Sequence, residues 1–239
     1  MKKSTSPLPT LRKTWRDAVN PKGSERQQKT KKPRESTGTE DVTGVLLLAG
    51  RSSRMGTSKP LLTFGNQTLV SLMLGRMLDS DLTRIIVILG YQARAVKKEI
   101  LKSPLPAKVK MVINQEYNKG LSTSIITALS HLESRTTGIM FLLGDQPLLT
   151  TAVINKLIKF FRSAAAPIVV PLYGKKPGNP VIFRTSLIPE LQNLSGDMGG
   201  RELIKKYWNQ VRTVPIRPQR IGWDMDTPEE YEKLKECAK

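Results

Sequence analysis

The chain has few of the residues that usually staple a fold or announce a reaction. One cysteine, Cys237, in 239 residues excludes an intramolecular disulfide framework and fits a reducing compartment. The only histidine, His131, falls at the end of a predicted helix and reads as a solvated surface residue with no catalytic role. No apolar run approaches the length needed to span a bilayer, and the N-terminus lacks the apolar segment of a signal peptide. A cytoplasmic protein without a membrane span is expected. Acidic residues are scarce, 20 against 39 Lys and Arg, for a net charge of +19. Residues 1–40 hold 11 Lys/Arg and 4 Asp/Glu, which supplies +7 and leaves +12 to the rest. Residues 1–41 are rich in Lys, Ser, Thr, Pro and Gly and short of large apolar residues. Such a segment buries too little surface to offset its chain entropy, so it reads as a basic disordered tail. The alternative is an arm for nucleic acid or another polyanion, with Leu11–Arg16 as the only part that sets an aromatic amid cations.

From Val42 to Lys239 apolar strands alternate with segments of helical period. Strands are predicted at Val45–Leu48, Arg84–Leu89, Lys108–Ile113, Ile139–Leu143, Ile168–Pro171, Val181–Phe183 and Val211–Ile216. Helices are predicted at Leu69–Leu78, Ala93–Leu101, Ser122–His131, Thr151–Arg162, Leu187–Leu194, Gly199–Tyr207 and Pro228–Lys235. The alternation implies right-handed βαβ units, hence one three-layer α/β/α, Rossmann-like domain on a mostly parallel sheet. Ser122 and Thr227 are the expected helix caps, and Pro228 suits a first helical position.

The run Val45–Leu48 stops at Ala49 and Gly50 and gives way to a loop carrying Arg51, Ser52, Ser53, Arg54, Gly56 and Lys59. A loop leaving the carboxyl end of a buried parallel strand sits where open α/β sheets bind ligands. Glycine there lets backbone N–H groups approach closely, and three cations can balance several negative charges. The implied ligand is a polyanion, most simply a nucleoside triphosphate. The spacing fits neither a Walker loop nor the three-glycine dinucleotide fingerprint. Asp145 follows the strand Ile139–Leu143 and one Gly, so its carboxylate is expected in the same crevice. Asp226 lies beyond the last strand, just before a helix. Two carboxylates facing a triphosphate suit Mg²⁺, with Mn²⁺ as the alternative. A dipole-stabilised residue at a helix start is the plainer reading of Asp226.

The string LLAGRSSRMGTSK at 47–59 resembles the LAAGxSxRMGxxK loop of the MobA-like nucleotidyltransferases. The resemblance continues through Asn114–Ser124, Leu143–Pro147 (the family's GDQP), Gly178–Phe183, Gly196–Arg201 and Asp224–Pro228, in family order, and is closest to the molybdenum cofactor cytidylyltransferases. It implies transfer of CMP from CTP to molybdopterin with release of pyrophosphate. Arg54, Lys59 and Asp145 would be catalytic, and Asp145 and Asp226 the metal ligands, with Asp224 as a neighbouring candidate. Leu48, Ala49, Gly50, Arg51, Ser52, Lys59, Asn114, Gly120 and Ser122 would bind the nucleotide. Gly178, Asn179, Pro180, Asp197 and Arg201 would bind the acceptor, and a molybdoenzyme receiving the cofactor is an implied partner. The chain departs from the family at Asn179, where a His is usual, at Gly200, where an Ala is usual, and at Leu48. The change at Asn179 leaves other phosphorylated acceptors open. GTP-dependent guanylyl transfer and a non-catalytic cofactor- or nucleic-acid-binding role are the remaining alternatives. Gln146 argues against the former, because guanylyltransferase relatives more often carry Asp-Thr-Pro in that motif.

Overall fold

The computed structural model describes residues 40–51, 55 and 57–237. The expected tail, except its last two residues, lies outside them, as do Ser52, Ser53, Arg54 and Gly56. The strands are β1 (Asp41–Leu48), β2 (Thr63–Phe64), β3 (Gln67–Thr68), β4 (Arg84–Leu89), β5 (Val109–Ile113), β6 (Thr136–Leu143), β7 (Ile168–Tyr173), β8 (Lys176–Pro177), β9 (Val181–Arg184) and β10 (Val211–Ile216). The helices are α1 (Leu69–Leu78), α2 (Ala93–Ile100), α3 (Leu121–Leu129), α4 (Thr151–Ser163), α5 (Ile188–Gln192), α6 (Arg201–Lys206) and α7 (Pro228–Glu236).

The main sheet runs β10-β7-β9-β6-β1-β4-β5, with β8 paired to β7. β1 pairs parallel with β4 and β6, β4 with β5, and β7 with β10. β9 is antiparallel to both of its neighbours, β6 and β7. The chain moves from β1 to β4 and β5 on one side, then crosses back to β6 on the other. The carboxyl end of β1 is therefore a topological switch point, where such sheets open a crevice. Leu47 pairs with Leu143, so the loop after β1 and the turn bearing Asp145 leave the sheet side by side.

Alternation along the strands feeds two layers of core. Leu46, Leu48, Ile85, Val87, Met140 and Leu142 share a cluster with Val70, Met73 and Met77 of α1, Val96 of α2 and Ile154, Leu157 and Phe161 of α4. The intervening Val45, Ile86, Ile88, Ile139 and Phe141 are equally buried and form the second face, and α3 packs on β4 and α5. Among the described residues no helix is long and apolar enough to cross a membrane.

Several boundaries differ from expectation. The strands extend beyond their apolar runs, since ladder bonds reach polar residues such as Thr136. Thr227 does cap α7, accepting from Glu230 N–H at 3.2 Å. Ser122 does not cap α3: the helix begins at Leu121, its N-cap is Gly120 at φ +114°, and no side chain caps it. The predicted helix Gly199–Tyr207 shortens to α6, so Asp197 sits in the preceding turn rather than on a helix start. The hairpin of β2 and β3, turning at Gly65 with φ +64°, escapes notice because each strand is two residues long.

Candidate functional site

Four loops meet at the carboxyl edge of β1, β4, β5 and β6. Ala49 is buried at the end of β1, and Tyr91 N–H donates to its carbonyl at 3.1 Å. Gly50 has nothing within 4 Å of where a Cβ would stand, so its backbone faces open space. Arg51 is exposed, with its guanidinium carbon 5.8 Å from the centre of the Tyr117 ring. Leu48 is buried, and a Cβ on Gly144 would lie 2.3 Å from its Cδ2. The leucine that departs from the family fills the space this glycine leaves.

Lys59 opens a short 3-10 turn, Lys59–Leu61. Its ammonium donates to Asp226 Oδ1 at 2.8 Å and lies 3.6 Å from Asp145 Oδ2. Asp226 reaches this point although β10 is the far edge of the sheet. The segment after β10 returns across the carboxyl ends of the strands, and Met225 N–H donates to Asp145 C=O at 2.9 Å. Met225 is fully buried with Phe64, Leu69 and Leu234, so an apolar anchor holds this segment down. Asp226 N–H donates to Glu230 Oε2 at 2.9 Å. Gln146, also buried, donates from Nε2 to Asp224 Oδ1 at 2.9 Å. Thus Asp145, Asp224 and Asp226 converge, with Lys59 as the cation between two of them.

Asp145 keeps one oxygen, Oδ1, buried without a hydrogen-bond partner. Burial, then the charge of Asp226, holds its carboxyl above the usual carboxylate range, with Lys59 pulling the other way. Asp224 is exposed as a residue, yet the protein around its carboxyl removes solvent and, with the charges of Asp145 and Asp226, pushes it up to about 7 against the pull of the Gln146 bond and Lys59. Among the described residues no cluster of three or more His, Cys, Asp or Glu side chains could hold a metal. The two oxygen-donor carboxylates are what the chain offers.

Asn114 and Ser122 are buried near this edge. The Asn114 amide donates to Thr123 Oγ1 at 2.8 Å and Ser124 Oγ at 3.0 Å, and its oxygen accepts from Glu116 N–H at 2.9 Å. That amide therefore shapes the turn leading into α3. Gly120 joins this turn to the loop of Gly196 and Asp197. Ser122 N–H donates to Gly196 C=O at 3.0 Å, and a Cβ on Gly120 would stand 2.3 Å from the Gly196 carbonyl.

Two of the acceptor candidates, Gly178 and Asn179, pack on Tyr173. Its buried hydroxyl donates to Asn179 C=O at 2.7 Å, and Gly178 packs on its ring. Burial and then Asp224 raise the Tyr173 pKa. The Asn179–Pro180 bond is cis, and Pro180 is buried. Arg201 opens α6, its pKa lowered by burial, with Asp224 among the charges acting on it. Asp224 therefore faces the acceptor candidates while Asp226 faces Lys59. Asp197 is exposed in its turn and stands apart from the Tyr173 group, against Gly120. At Gly200 a Cβ would lie 2.4 Å from Phe183 Cζ, so the departure from the family's Ala goes with a phenylalanine that occupies the space.

With this geometry in view, residues 44–212 match the MobA-like NTP transferase domain. The chain belongs to that family. The nicotine blue oxidoreductase of Paenarthrobacter nicotinovorans is 28% identical over 202 residues, 81% of this chain and 96% of that protein. The purine catabolism protein PucB of Bacillus subtilis is 28% identical over 199 residues, 80% and 95% of the two chains. The crystal structure of Rv0371c from Mycobacterium tuberculosis superposes with a TM-score of 0.73 at 30% identity, over 83% of this chain and 100% of that one. Rv0371c has also been solved as a complex with manganese. Of the two equally similar relatives, one is named for an oxidoreduction and the other for purine catabolism, so the substrates of this MobA-like enzyme are argued from its site.

Sequence reading missed Tyr173, and it gave no role to Tyr117, Gly196 and Met225 although each lies inside a motif segment. It used Gln146 only to separate nucleotide classes, whereas the side chain is turned toward Asp224. An amide three residues beyond an apolar strand end is the signal available for Gln146. Tyr173 lies outside every motif segment and carries none.

Proposed function

We propose that this MobA-like nucleotidyltransferase moves CMP from CTP to a phosphorylated acceptor, molybdopterin, and that a molybdoenzyme receives the product. The observation that carries this reading is the pair Asp145 and Asp226 sharing Lys59 beside the open backbone of Gly50. An oxygen of the acceptor phosphate attacks the α-phosphorus, the bond to the β-phosphate oxygen breaks, and pyrophosphate leaves. Such transfer needs in-line positioning and neutralised charge more than covalent help. A phosphate monoester is largely deprotonated at neutral pH, so no general base is required, which agrees with the lack of a histidine role. Mg²⁺, or Mn²⁺ in its place, fits Asp145 and Asp226: both offer oxygen ligands, and the orphaned Oδ1 of Asp145 has no other partner. The ion supplies charge neutralisation on the phosphates. Lys59 and Arg54 serve the leaving pyrophosphate. Asn114 sets the turn whose backbone reads the base, with Gly120 and Ser122. Asn179, Arg201 and Asp224 take the acceptor. The preference for CTP rests on the GDQP form of the motif around Asp145.

CTP with Mg²⁺ should raise the melting temperature more than GTP, ATP or UTP. At about 100 times the dissociation constant a ligand adds roughly 2.7 kcal/mol, or about 5–10 °C for a domain of this size. A larger shift with GTP would overturn the cytidylyl reading and leave the family untouched.

Asn179 is half-buried, and its side-chain amide has no protein partner among the described residues. Asn179→Ala should raise the acceptor KM by the equivalent of about 1–3 kcal/mol and leave the CTP KM unchanged. With the two substrates varied separately, a defect confined to CTP would remove Asn179 from the acceptor site.

A further inference from the structure

Lys59 stands in a position that phosphate binding alone does not explain. Its ammonium is 2.8 Å from Asp226 Oδ1 and 3.6 Å from Asp145 Oδ2, and its side chain is only 14% exposed. It lies within reach of both carboxylates. Asp145 Oδ1 is nonetheless buried and unpartnered. A pair built only for structure is expected to satisfy that buried oxygen as well, since an unmet buried polar atom is costly. The arrangement therefore suits an occupant that can be replaced. The lysine stem is flexible, and its ammonium is a mobile point charge.

We infer that Lys59 is the resident counter-ion of Asp145 and Asp226, and that a divalent cation entering between them displaces it toward the nucleotide phosphates. This rests on the metal reading above. In the empty enzyme Lys59 keeps the carboxylates from repelling one another and competes with the ion for them. When a triphosphate is present, Lys59 has a second anion to go to, and the competition ends. Ion and nucleotide then bind with positive coupling, and by reciprocity each strengthens the other. The same side chain serves first as a placeholder and then as a phosphate ligand.

The test is titration of the nucleotide-free, full-length chain with Mn²⁺, reading the free ion by electron paramagnetic resonance. Lys59→Met should bind Mn²⁺ more tightly than wild type, by about fivefold or more, while Asp226→Asn should lose binding. If Asp226→Asn loses Mn²⁺ and Lys59→Met shows wild-type or weaker affinity, the placeholder role is overturned and the metal reading stands. If Asp226→Asn keeps full affinity, the metal reading fails and this inference with it. A second measurement needs no variant. Acetylation of wild-type Lys59, followed by mass spectrometry against the exposed Lys98 as internal reference, should speed up severalfold when Mn²⁺ is added without nucleotide. An unchanged or slower rate would overturn the displacement.

Discussion

Asp145→Asn and Asp226→Asn each lower pyrophosphate release by on the order of a hundredfold or more, and neither unfolds the protein. The two variants differ in what they do to stability. Asp226 is a quarter exposed and gives Lys59 its 2.8 Å partner, so its loss costs about 0–1 kcal/mol, the range for a solvent-screened pair. Asp145 behaves in the opposite sense. Burial raises its pKa in the fold, so the native state disfavours the ionised carboxyl relative to the unfolded chain. Wild-type stability drawn from this group is highest below the unfolded carboxyl pKa and falls as pH rises toward the folded one. An amide has no such dependence. Asp145→Asn is therefore expected to melt at or above the wild-type temperature at pH 7.5 and to lose that advantage near pH 4. Melts at both pH values, with a pyrophosphate assay, check the pair. Near wild-type turnover in both variants would sink the metal assignment. A large drop in melting temperature for Asp145→Asn would show that its charge holds the fold together.

Why one carboxylate was easier to read than the other follows from where each sits. Asp145 follows a short apolar run and one Gly, and strand ends at a switch point face the ligand. Nothing local makes Asp226 more than a residue before the Thr227 cap. Its partner Lys59 is 167 positions away, and only the return of the chain across the sheet brings them together. Hydrophobic period likewise placed the strand cores of β1, β4, β6, β7 and β10 but said nothing of direction. Val181–Phe183 is a continuous apolar run, as a buried parallel strand would be, and its antiparallel pairing with β6 and β7 follows from the hairpin after β7 at Gly174, φ +69°. The departures at Leu48 and Gly200 look like isolated substitutions in the sequence. In the fold Leu48 fills the space beside Gly144, and Phe183 fills the space at Gly200. The joint at Gly120 was legible only as a motif glycine, since its contact, Gly196, belongs to another loop.

That joint carries the second large effect. Gly120→Ala should lower stability by roughly 2–4 kcal/mol, a combination of backbone strain and overpacking, with a fall in melting temperature of about 5–10 °C. Gly120 sits at φ +114° and ψ 174°, a region essentially closed to residues with a Cβ. The atoms such a Cβ would meet are the Gly196 carbonyl carbon and oxygen at 2.3 Å and Asp197 N at 2.8 Å. They are backbone and cannot rotate away as a side chain would. Relief requires parting the α3 turn from the Gly196 loop, which breaks the Ser122 N–H to Gly196 bond. Nucleotide-induced stabilisation should then shrink as well, because the turn shaped by Asn114 loses its support. Gly50→Ala is the contrasting experiment. It meets nothing within 4 Å, so its melting temperature should stay within about 2 °C of wild type, while stabilisation by CTP and Mg²⁺ weakens because the methyl group intrudes on the phosphate approach. One glycine is required by the fold and the other by the ligand. If Gly120→Ala melts like wild type, the joint is looser than its contacts imply. If Gly50→Ala keeps the full CTP shift, the phosphates do not approach the backbone there.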